Sequence, residues 1–280
     1  MKVRTMSISP THCGNTELRW GEKTYVMGII NLSPDSFSAD GIAGDLEAVV
    51  ARAKHMVAEG ADIIDVGGES TRPGAKPISI DEELRRVIPA IERLSREVAV
   101  PISLDTYKST VASQALGAGA QIINDVWGLK QDNRLAEVAA SASVPIILAS
   151  NQRNNPIQGD IISEVISSLQ GSIRLAKQAG IPEENIIIDP GIGFGKSVRQ
   201  NLEIIRRLAE LKVLGRPILL GTSRKFMQDL PPEQRIEATA ATVAIGIAHG
   251  ADMVRVHEVK EMARVCRMSD AIIRGTRGAK

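Results

Sequence analysis

The sequence has few aromatic residues and almost no net charge. Aromatic residues make up 2% of the 280 residues, so the core must consist mainly of Ile, Leu, Val and Ala, and a platform of rings that stack on nucleic-acid bases is disfavoured. The formal net charge is +1, which leaves no excess of Lys and Arg to neutralise phosphates. We therefore expect no nucleic-acid partner.

Cysteines and long apolar runs are scarce as well. Cys13 and Cys266 are far apart and have no metal-ligand spacing, which disfavours a zinc site or a disulfide framework. No stretch approaches the ~18 apolar residues of a membrane span. Residues 1–15 also lack the apolar core of a signal peptide. We expect a cytoplasmic location and no membrane partner.

Eight short, almost continuous apolar runs recur along the chain, as is typical of parallel strands buried on both faces. They span residues 25–31, 62–67, 102–105, 121–125, 146–150, 186–189, 218–221 and 253–257. Helical patterns separate most of them, at 46–59, 81–97, 108–118, 134–141, 161–178, 200–211 and 236–249. This alternation, in a chain near the ~250 residues that such folds need, predicts an α/β fold, a single-domain (β/α)8 TIM barrel.

The start of the chain is expected to lie outside the barrel proper. We assign residues 25–280 to the barrel and residues 1–24 to an N-terminal extension that caps it. A hairpin over residues 17–25, turning at Gly21, is expected to close the bottom of the barrel.

Nearly every apolar run ends in a polar side chain. Because the carboxyl ends of barrel strands meet at one face, these side chains should converge there. One such residue could merely cap the following helix, but a whole set of buried polar groups needs partners and therefore predicts the binding site of an enzyme. The set consists of Asn31, Asp65, Asp105, Asn124, Ser150, Asp189, Ser223, Arg255 and His257.

Two connections are longer than the ~2–6 residues usual in such barrels. They span residues 32–44 and 68–80, and both are rich in Gly, Ser and Pro. Their length indicates lids or substrate contacts, although a tolerated insertion stays an alternative. Phe37, in the first loop, is expected to fold over a ligand.

Residues 189–197, DPGIGFGKS, have some features of a phosphate-binding loop. Three residues separate Gly191 from Gly195, where the nucleotide-binding pattern needs four, so nucleotide binding is rejected. The glycines are instead expected to let the backbone pass close to a flat ligand beside Asp189.

Basic residues follow the last two strands, at Ser223-Arg224-Lys225 and at Arg255-x-His257. The loops after the seventh and eighth strands of such barrels commonly hold a phosphate, so these residues predict an anion site. A single basic pair could also be a solvated surface charge.

Seven strings, in order and across nearly the whole barrel, carry a resemblance to a known family. They are MGIINLSPDSFS, DVGGESTRPGA, ISLDTYKSTVA, IINDVWGL, DPGIGFGKS, GTSRK and RVHEV. Together they resemble the dihydropteroate synthases of the folate pathway, which are pterin-binding barrels. The resemblance implies a transferase that joins 6-hydroxymethyl-7,8-dihydropterin diphosphate to 4-aminobenzoate, releases diphosphate and is a target of sulfonamides.

The resemblance also implies roles for individual residues. The pterin would contact Asp105, Asn124, Asp189, Phe194, Gly221 and Lys225. The diphosphate would contact Asn31, Arg255 and His257, with Mg²⁺ at Asn31. The aminobenzoate pocket and its loops would include Asp35, Phe37, Thr71, Arg72, Pro73 and Ser223. The catalytic residues would be Asp105, Lys225, Arg255 and His257, and the family implies a homodimer.

Some alternatives stay open at this point. The fifth run ends in Ala149-Ser150 where the family usually has Met-His, which indicates either family variation or altered pterin affinity. A methyltetrahydrofolate-dependent methyltransferase or a non-catalytic pterin-binding paralogue would share the fold, but the anion site and the loop residues count against both. Helix 236–249 is apolar nearly all round, which fits a dimer face or burial within one subunit.

Overall fold

Eight parallel strands surrounded by eight helices form a barrel in the part of the chain that the computed structural model describes, residues 8–33, 45–71, 74–154 and 157–275. A two-stranded hairpin, β1 (Thr11–Cys13) and β2 (Thr16–Leu18), precedes it. The barrel strands are β3 (Tyr25–Asn31), β4 (Ile63–Gly67), β5 (Ile102–Asp105), β6 (Ile122–Asp125), β7 (Ile146–Ala149), β8 (Ile186–Asp189), β9 (Leu219–Leu220) and β10 (Met253–Val256). The helices are α1 (Leu46–Glu59), α2 (Ile80–Glu97), α3 (Ser109–Ala118), α4 (Arg134–Ala142), α5 (Ile161–Gln178), α6 (Val198–Arg206), α7 (Ile236–Ala248) and α8 (Val259–Arg274).

Hydrogen bonding closes the sheet on itself. The strands pair in parallel in the order β8-β7-β6-β5-β4-β3-β10-β9. A parallel bridge between Ile188 and Ile218 joins the two edges of this sheet. Closure removes the unpaired edges that an open sheet would expose. The predicted α/β barrel is therefore confirmed.

Alternation along the strands decides which side chains point into the barrel. Near the amino-terminal ends the inward side chains form an apolar layer of Met27, Ile63, Ile122, Ile147, Ile187, Leu219 and Met253. Nearer the carboxyl ends of the strands, two or four residues beyond the members of this layer, the inward side chains are polar or very small. We call this second set the mouth ring, and it consists of Asn31, Gly67, Asp105, Asn124, Ala149, Asp189, Gly221 and Arg255.

The hairpin of β1 and β2 covers the amino-terminal end of the barrel. Cys13 and Leu18 have no solvent exposure and pack in one cluster with the apolar layer of the strands. The predicted N-terminal hairpin is confirmed, but its bounds at residues 17–25 were wrong, because the chain reverses earlier, at Gly14 and Asn15. Gly14 has a φ of 57°, and such two-residue loops favour glycine and asparagine.

The helices agree with the sequence patterns except at two places. The predicted helix 200–211 is instead the shorter α6, followed by a 3-10 segment at Leu208–Leu214. Helix α6 starts early because Ser197 and Gln200 form a reciprocal capping box. The last helix, α8, was not among the predicted helices. No helix in the described ranges is long and apolar enough to cross a membrane.

Candidate active site

Arg255 lies at the centre of a buried network at the mouth ring. Its Nε donates to Asp65 Oδ2 at 2.7 Å, and its Nη2 donates to Asp105 Oδ2 at 2.8 Å. Asn124 Nδ2 donates to the same oxygen of Asp65 at 3.2 Å. Asp65 has no solvent exposure and precedes Gly67 by two residues on β4, so it lies one layer beneath the ring. One carboxylate therefore orients two side chains of the ring.

Burial governs the charges of this network. Loss of hydration is the main cause that raises the pKa of Asp105 to about 7. The charge of Arg255 opposes this rise, and the charge of Asp65 contributes to it. Burial alone would lower the pKa of Arg255, but Asp65 and Asp105 together keep it above its ordinary value. The network thus combines a permanent cation with a carboxyl group whose charge changes near neutral pH.

Asp189 and Lys225 form a second charged pair on either side of Gly221. A Cβ on Gly221 would lie 3.8 Å from Lys225 Nζ and 3.9 Å from Asp189 Oδ2, so the missing side chain leaves space next to both groups. Lys225 Nζ donates to the carbonyl of Ile192 at 2.6 Å, and Asp189 Oδ1 accepts from the Gly191 N–H at 2.7 Å. Both charged groups are thereby held in place by backbone.

Burial also shifts the ionisation of this pair. It raises the pKa of Asp189, and the neighbouring charge of Lys225 opposes that rise. It lowers the pKa of Lys225 to about 8, opposed by the charge of Asp189. The two groups therefore present an acceptor and a donor on either side of the space at Gly221.

Phe194 connects this pair to the second long loop. Its ring centroid lies 4.8 Å from Lys225 Nζ and 4.9 Å from Arg153 Cζ. Arg153 Nη2 in turn donates to the carbonyl of Thr71 at 2.5 Å. Cations over an aromatic face are attracted by its quadrupole, so the ring is fixed between two side chains.

The glycine-rich segment after β8 is shaped by contacts within the protein. Lys196 Nζ donates to the carbonyls of Ser150 and Gly191 at 2.6 and 2.9 Å, so its ammonium group already binds backbone oxygens. A Cβ on Gly191 would lie 2.0 Å from the Ser150 oxygen, and one on Gly195 would lie 2.4 Å from the Arg153 nitrogen. These two glycines therefore make room for the backbone after β7. The expected approach of this segment to a flat ligand stays a prediction.

Ser223 and His257 lie together beside the carboxyl end of β10. Ser223 Oγ is 2.9 Å from His257 Nδ1 and accepts from the His257 N–H at 3.2 Å. Arg224 Nε donates to Glu258 Oε1 at 2.5 Å, and Glu258 Oε2 is 3.3 Å from Ser223 Oγ. The charge of Arg224 is therefore balanced by Glu258.

The chain was compared with known proteins. A family model described as "Pterin binding enzyme" matches residues 27–257. The dihydropteroate synthase of Bacillus subtilis is 50% identical over 268 residues, which is 94% of this chain and 93% of that protein. A dihydropteroate synthase from Clostridium difficile, solved in the presence of pteroic acid, is 48% identical with a TM-score of 0.86, covering 91% of this chain and 98% of the other.

The chain belongs to the dihydropteroate synthase family. It is a transferase of that family. Another dihydropteroate synthase structure, from Xanthomonas albilineans with 4-aminobenzoic acid, is 39% identical with a TM-score of 0.88 and covers 95% of this chain and 98% of that one. The resemblance inferred from the seven sequence strings is thus confirmed.

The structure brings most of the predicted site residues of this dihydropteroate synthase family member together. In the mouth ring lie Asn31, Asp105, Asn124, Asp189, Gly221 and Arg255. Lys225 lies beside Gly221 of the ring, and the contacts described above connect it through Phe194 and Arg153 to Thr71. Ser223 and His257 contact each other beside the carboxyl end of β10, the strand that carries Arg255. The other predicted residues, Asp35, Phe37, Arg72 and Pro73, lie outside the described residues.

Two features of the site differ from the sequence prediction. Ser150 was placed among the converging strand ends, but by alternation Ala149 faces the barrel, and the carbonyl of Ser150 binds Lys196. Sequence reasoning also missed Arg153 as a link between Phe194 and the second loop. It named Asp65 only as a strand end, although the two-residue spacing from Gly67 indicates a buried layer beneath the ring.

Proposed function

We propose that this chain condenses 6-hydroxymethyl-7,8-dihydropterin diphosphate with 4-aminobenzoate to give 7,8-dihydropteroate and diphosphate. The observation that carries the proposal is the space at Gly221, with Asp189 and Lys225 beside it and the partly buried Arg255 as a further neighbour. A flat ring with adjacent donors and a carbonyl fits this arrangement, and a departing anion fits the guanidinium. The relatives are synthases, and this argues against the methyltransferase alternative.

The pterin would lie over the mouth ring. A pterin presents adjacent N–H donors along one edge, which the Asp189 carboxylate can accept, and a carbonyl to which Lys225 can donate. Asn124 would supply a further amide contact, since Asp65 orients its side chain from below. Phe194 would border the ring of the substrate, because Lys225 contacts its face.

The diphosphate would leave toward Arg255 and His257. The guanidinium is already oriented by Asp65 and Asp105, so little reorganisation is needed when negative charge develops on the leaving oxygens. Departure of diphosphate leaves positive charge on the pterin methylene, and an ionised Asp105 would stabilise it. The arylamine of 4-aminobenzoate is uncharged near neutral pH, so its attack demands no strong general base.

A magnesium ion would accompany the diphosphate at Asn31. In the described ranges no three His, Cys, Asp or Glu side chains gather to hold a metal, so the protein alone offers few ligands. Asn31 is half-buried in the mouth ring and has an amide oxygen. Such a donor fits a hard cation that keeps several waters and binds mainly through phosphate oxygens. When bound, Mg²⁺ would supply charge neutralisation for the leaving group.

The second substrate would bind at the loops above the ring. Ser223, beside His257, and Thr71, held through its carbonyl by Arg153, border the proposed aminobenzoate pocket. Asp35, Phe37, Arg72 and Pro73 stay predicted members of this pocket. Closure of the loops over the substrates would exclude water, which would otherwise capture the pterin cation.

We also propose a cytoplasmic homodimer. The face of α7 toward the barrel is buried, yet Ile245 on the same helix is 48% exposed. The neighbouring α8 exposes Met268, Ile272 and Ile273 by half or more. Contiguous exposed apolar side chains of this kind favour association, so light scattering should give twice the mass of one chain.

An assay with the purified protein tests the function. With the pterin diphosphate, 4-aminobenzoate and Mg²⁺ it should form dihydropteroate, and sulfonamides should inhibit the reaction. Asp189→Ala should abolish pterin binding. Arg255→Ala should weaken the diphosphate substrate more than the free pterin, since only the former has the anion. Pterin binding without product would instead indicate a non-catalytic paralogue, and equal losses in Arg255→Ala would contradict the anion role.

A further inference from the structure

A buried cation joins the two ends of the second long loop, residues 68–80. Lys108, at the start of α3, donates from Nζ to Glu69 Oε2 at 2.7 Å and to the carbonyl of Ile78 at 2.8 Å. Glu69 Oε2 also accepts from the Ile78 N–H at 3.0 Å. Residues near the two ends of the loop are therefore tied to each other through one ammonium group.

The same ammonium group is anchored to the helix layer. Lys108 Nζ donates to Glu83 Oε2 on α2 at 2.6 Å, and the other oxygen of Glu83 accepts from Thr106 Oγ1 at 2.6 Å. The side chains of Lys108 and Glu69 are each 11% exposed, and that of Glu83 is 1% exposed. Burial would lower the pKa of Lys108, but the two carboxylates keep it above its ordinary value, so the cation persists.

This cluster lies next to the mouth ring without belonging to it. Lys108 follows Asp105 by three residues, and Glu69 precedes Thr71 by two. Thr71 is held from the opposite side by Arg153. The position of Thr71 between these two cations thus depends on Lys108 at the base of the loop. The proposed pterin contacts belong to other parts of the barrel, Asp189 at the end of β8 and Lys225 in the loop after β9.

We propose that Lys108 is a positioning residue for 4-aminobenzoate, acting through Glu69 to hold the described parts of the second loop, residues 68–71 and 74–80, beside the mouth ring. The inference rests on the proposed function and adds to it a residue that touches neither substrate. A purely structural role would lower stability and affect both substrates alike. A positioning role changes the aminobenzoate step selectively, because only that substrate is expected to contact the loop.

Lys108→Met, which keeps the length of the side chain and removes its charge, tests the proposal. The KM for 4-aminobenzoate should rise roughly 10-fold or more, while the dissociation constant of the pterin stays within about 2-fold of the wild type. Thr106→Val is the matched control. It removes a bond to the same buried Glu83 and the acceptor of the Lys108 backbone N–H, and it leaves the Lys108 ammonium contacts to the loop in place. It should therefore lower the unfolding midpoint without raising this KM.

Two further variants cover the case in which Lys108→Met does not fold. Glu69→Gln keeps an acceptor for the Ile78 N–H and leaves Glu83 paired with Lys108, and it should show the same selective rise in KM. Lys108→Arg keeps the charge and should restore a KM close to that of the wild type. Faster hydrogen–deuterium exchange over residues 68–80 is expected in Lys108→Met and Glu69→Gln but not in Thr106→Val.

The outcomes separate this inference from the proposed function. If the wild type makes no dihydropteroate, the function is wrong, and the exchange data alone show whether Lys108 orders the loop. If the wild type is active and the folded variants keep a normal KM for 4-aminobenzoate, or lose both substrates equally, the positioning role is overturned.

Discussion

Replacing Asp65 by asparagine removes one charge from beneath the mouth ring with almost no change in side-chain volume. At present Asp65 Oδ2 lies 2.7 Å from Arg255 Nε and 2.6 Å from Arg255 Nη2, and it accepts from Asn124 at 3.2 Å. The amide oxygen of the variant can accept the same bonds. Arg255 keeps its bond to Asp105, so the guanidinium stays paired but is held less firmly.

The size of the effect follows from the difference between charged and neutral hydrogen bonds. A hydrogen bond to a charged group contributes about 1.5–3 kcal/mol, and a neutral one about 0.5–1.5 kcal/mol. In the variant Arg255 stays charged and only the acceptor becomes neutral. We therefore expect the interaction between the two side chains to weaken by about 1–2 kcal/mol in total. We therefore expect kcat/KM for the pterin diphosphate to fall roughly 5–30-fold.

The same substitution should also change the pH dependence. The negative charge of Asp65 is one of the causes that raise the pKa of Asp105 to about 7. Without it the pKa of Asp105 falls, so Asp105 ionises at a lower pH. The acid limb of the kcat/KM profile should accordingly shift to lower pH in Asp65→Asn.

Steady-state kinetics over a range of about pH 5 to 9 would measure both effects. Asp62→Asn is the matched control, because Asp62 lies at the opposite end of β4, where it binds Lys23 and the Val26 N–H. A kcat/KM for Asp65→Asn equal to that of the control, or an acid limb that moves to higher pH, would refute the reasoning.

Two more substitutions test other parts of the site. Lys225→Met should lose pterin binding but gain up to about 3 kcal/mol of unfolding free energy at neutral pH, because burial lowers the pKa of Lys225 to about 8. The gain should be full below pH 8 and vanish as the pH approaches 10.5, and thermal unfolding against pH would show it. Gly195→Ala should weaken pterin binding in calorimetric titration, because a Cβ at a φ of 72° would push the Phe194 segment away from Arg153.

These two predictions have clear controls. An unchanged stability of Lys225→Met at neutral pH would mean that the ammonium group is better hydrated than its burial implies. Gly180→Ala also places a Cβ at a positive φ, 90°, but nothing lies within 4 Å of it, so it should bind the pterin normally. Equal losses in Gly180→Ala and Gly195→Ala would contradict the packing argument.

The barrel was predictable because buried parallel strands have a recognisable sequence pattern. Strands covered on both faces are almost continuously apolar, so β3, β5 and β8 have the predicted bounds. Helix α1 was equally well placed, since an aspartate cap precedes it and Gly60 ends it in the left-handed region. The hairpin was misplaced because several Gly-containing turns were compatible with the polar start of the chain.

The site was only partly predictable, because a strand-end pattern identifies a residue but not its partners. The convergence of Asp105, Asn124 and Asp189 follows from the barrel alone. The contact between Arg153 and Phe194 depends on the course of two irregular loops, which has no periodic signal. The Ala149-Ser150 pair shows the same limit, because its effect on pterin affinity stays a prediction even though Ala149 occupies a position of the ring.

The hairpin at the amino-terminal end of the barrel determines by which route substrates can enter the proposed enzyme and products can leave it. Cys13 and Leu18, with the apolar layer above them, fill this end in the described part of the barrel. Substrates and products must then use one shared opening. In the proposed arrangement the pterin would lie deeper and would have to enter before 4-aminobenzoate, so a large excess of aminobenzoate should obstruct entry and slow turnover.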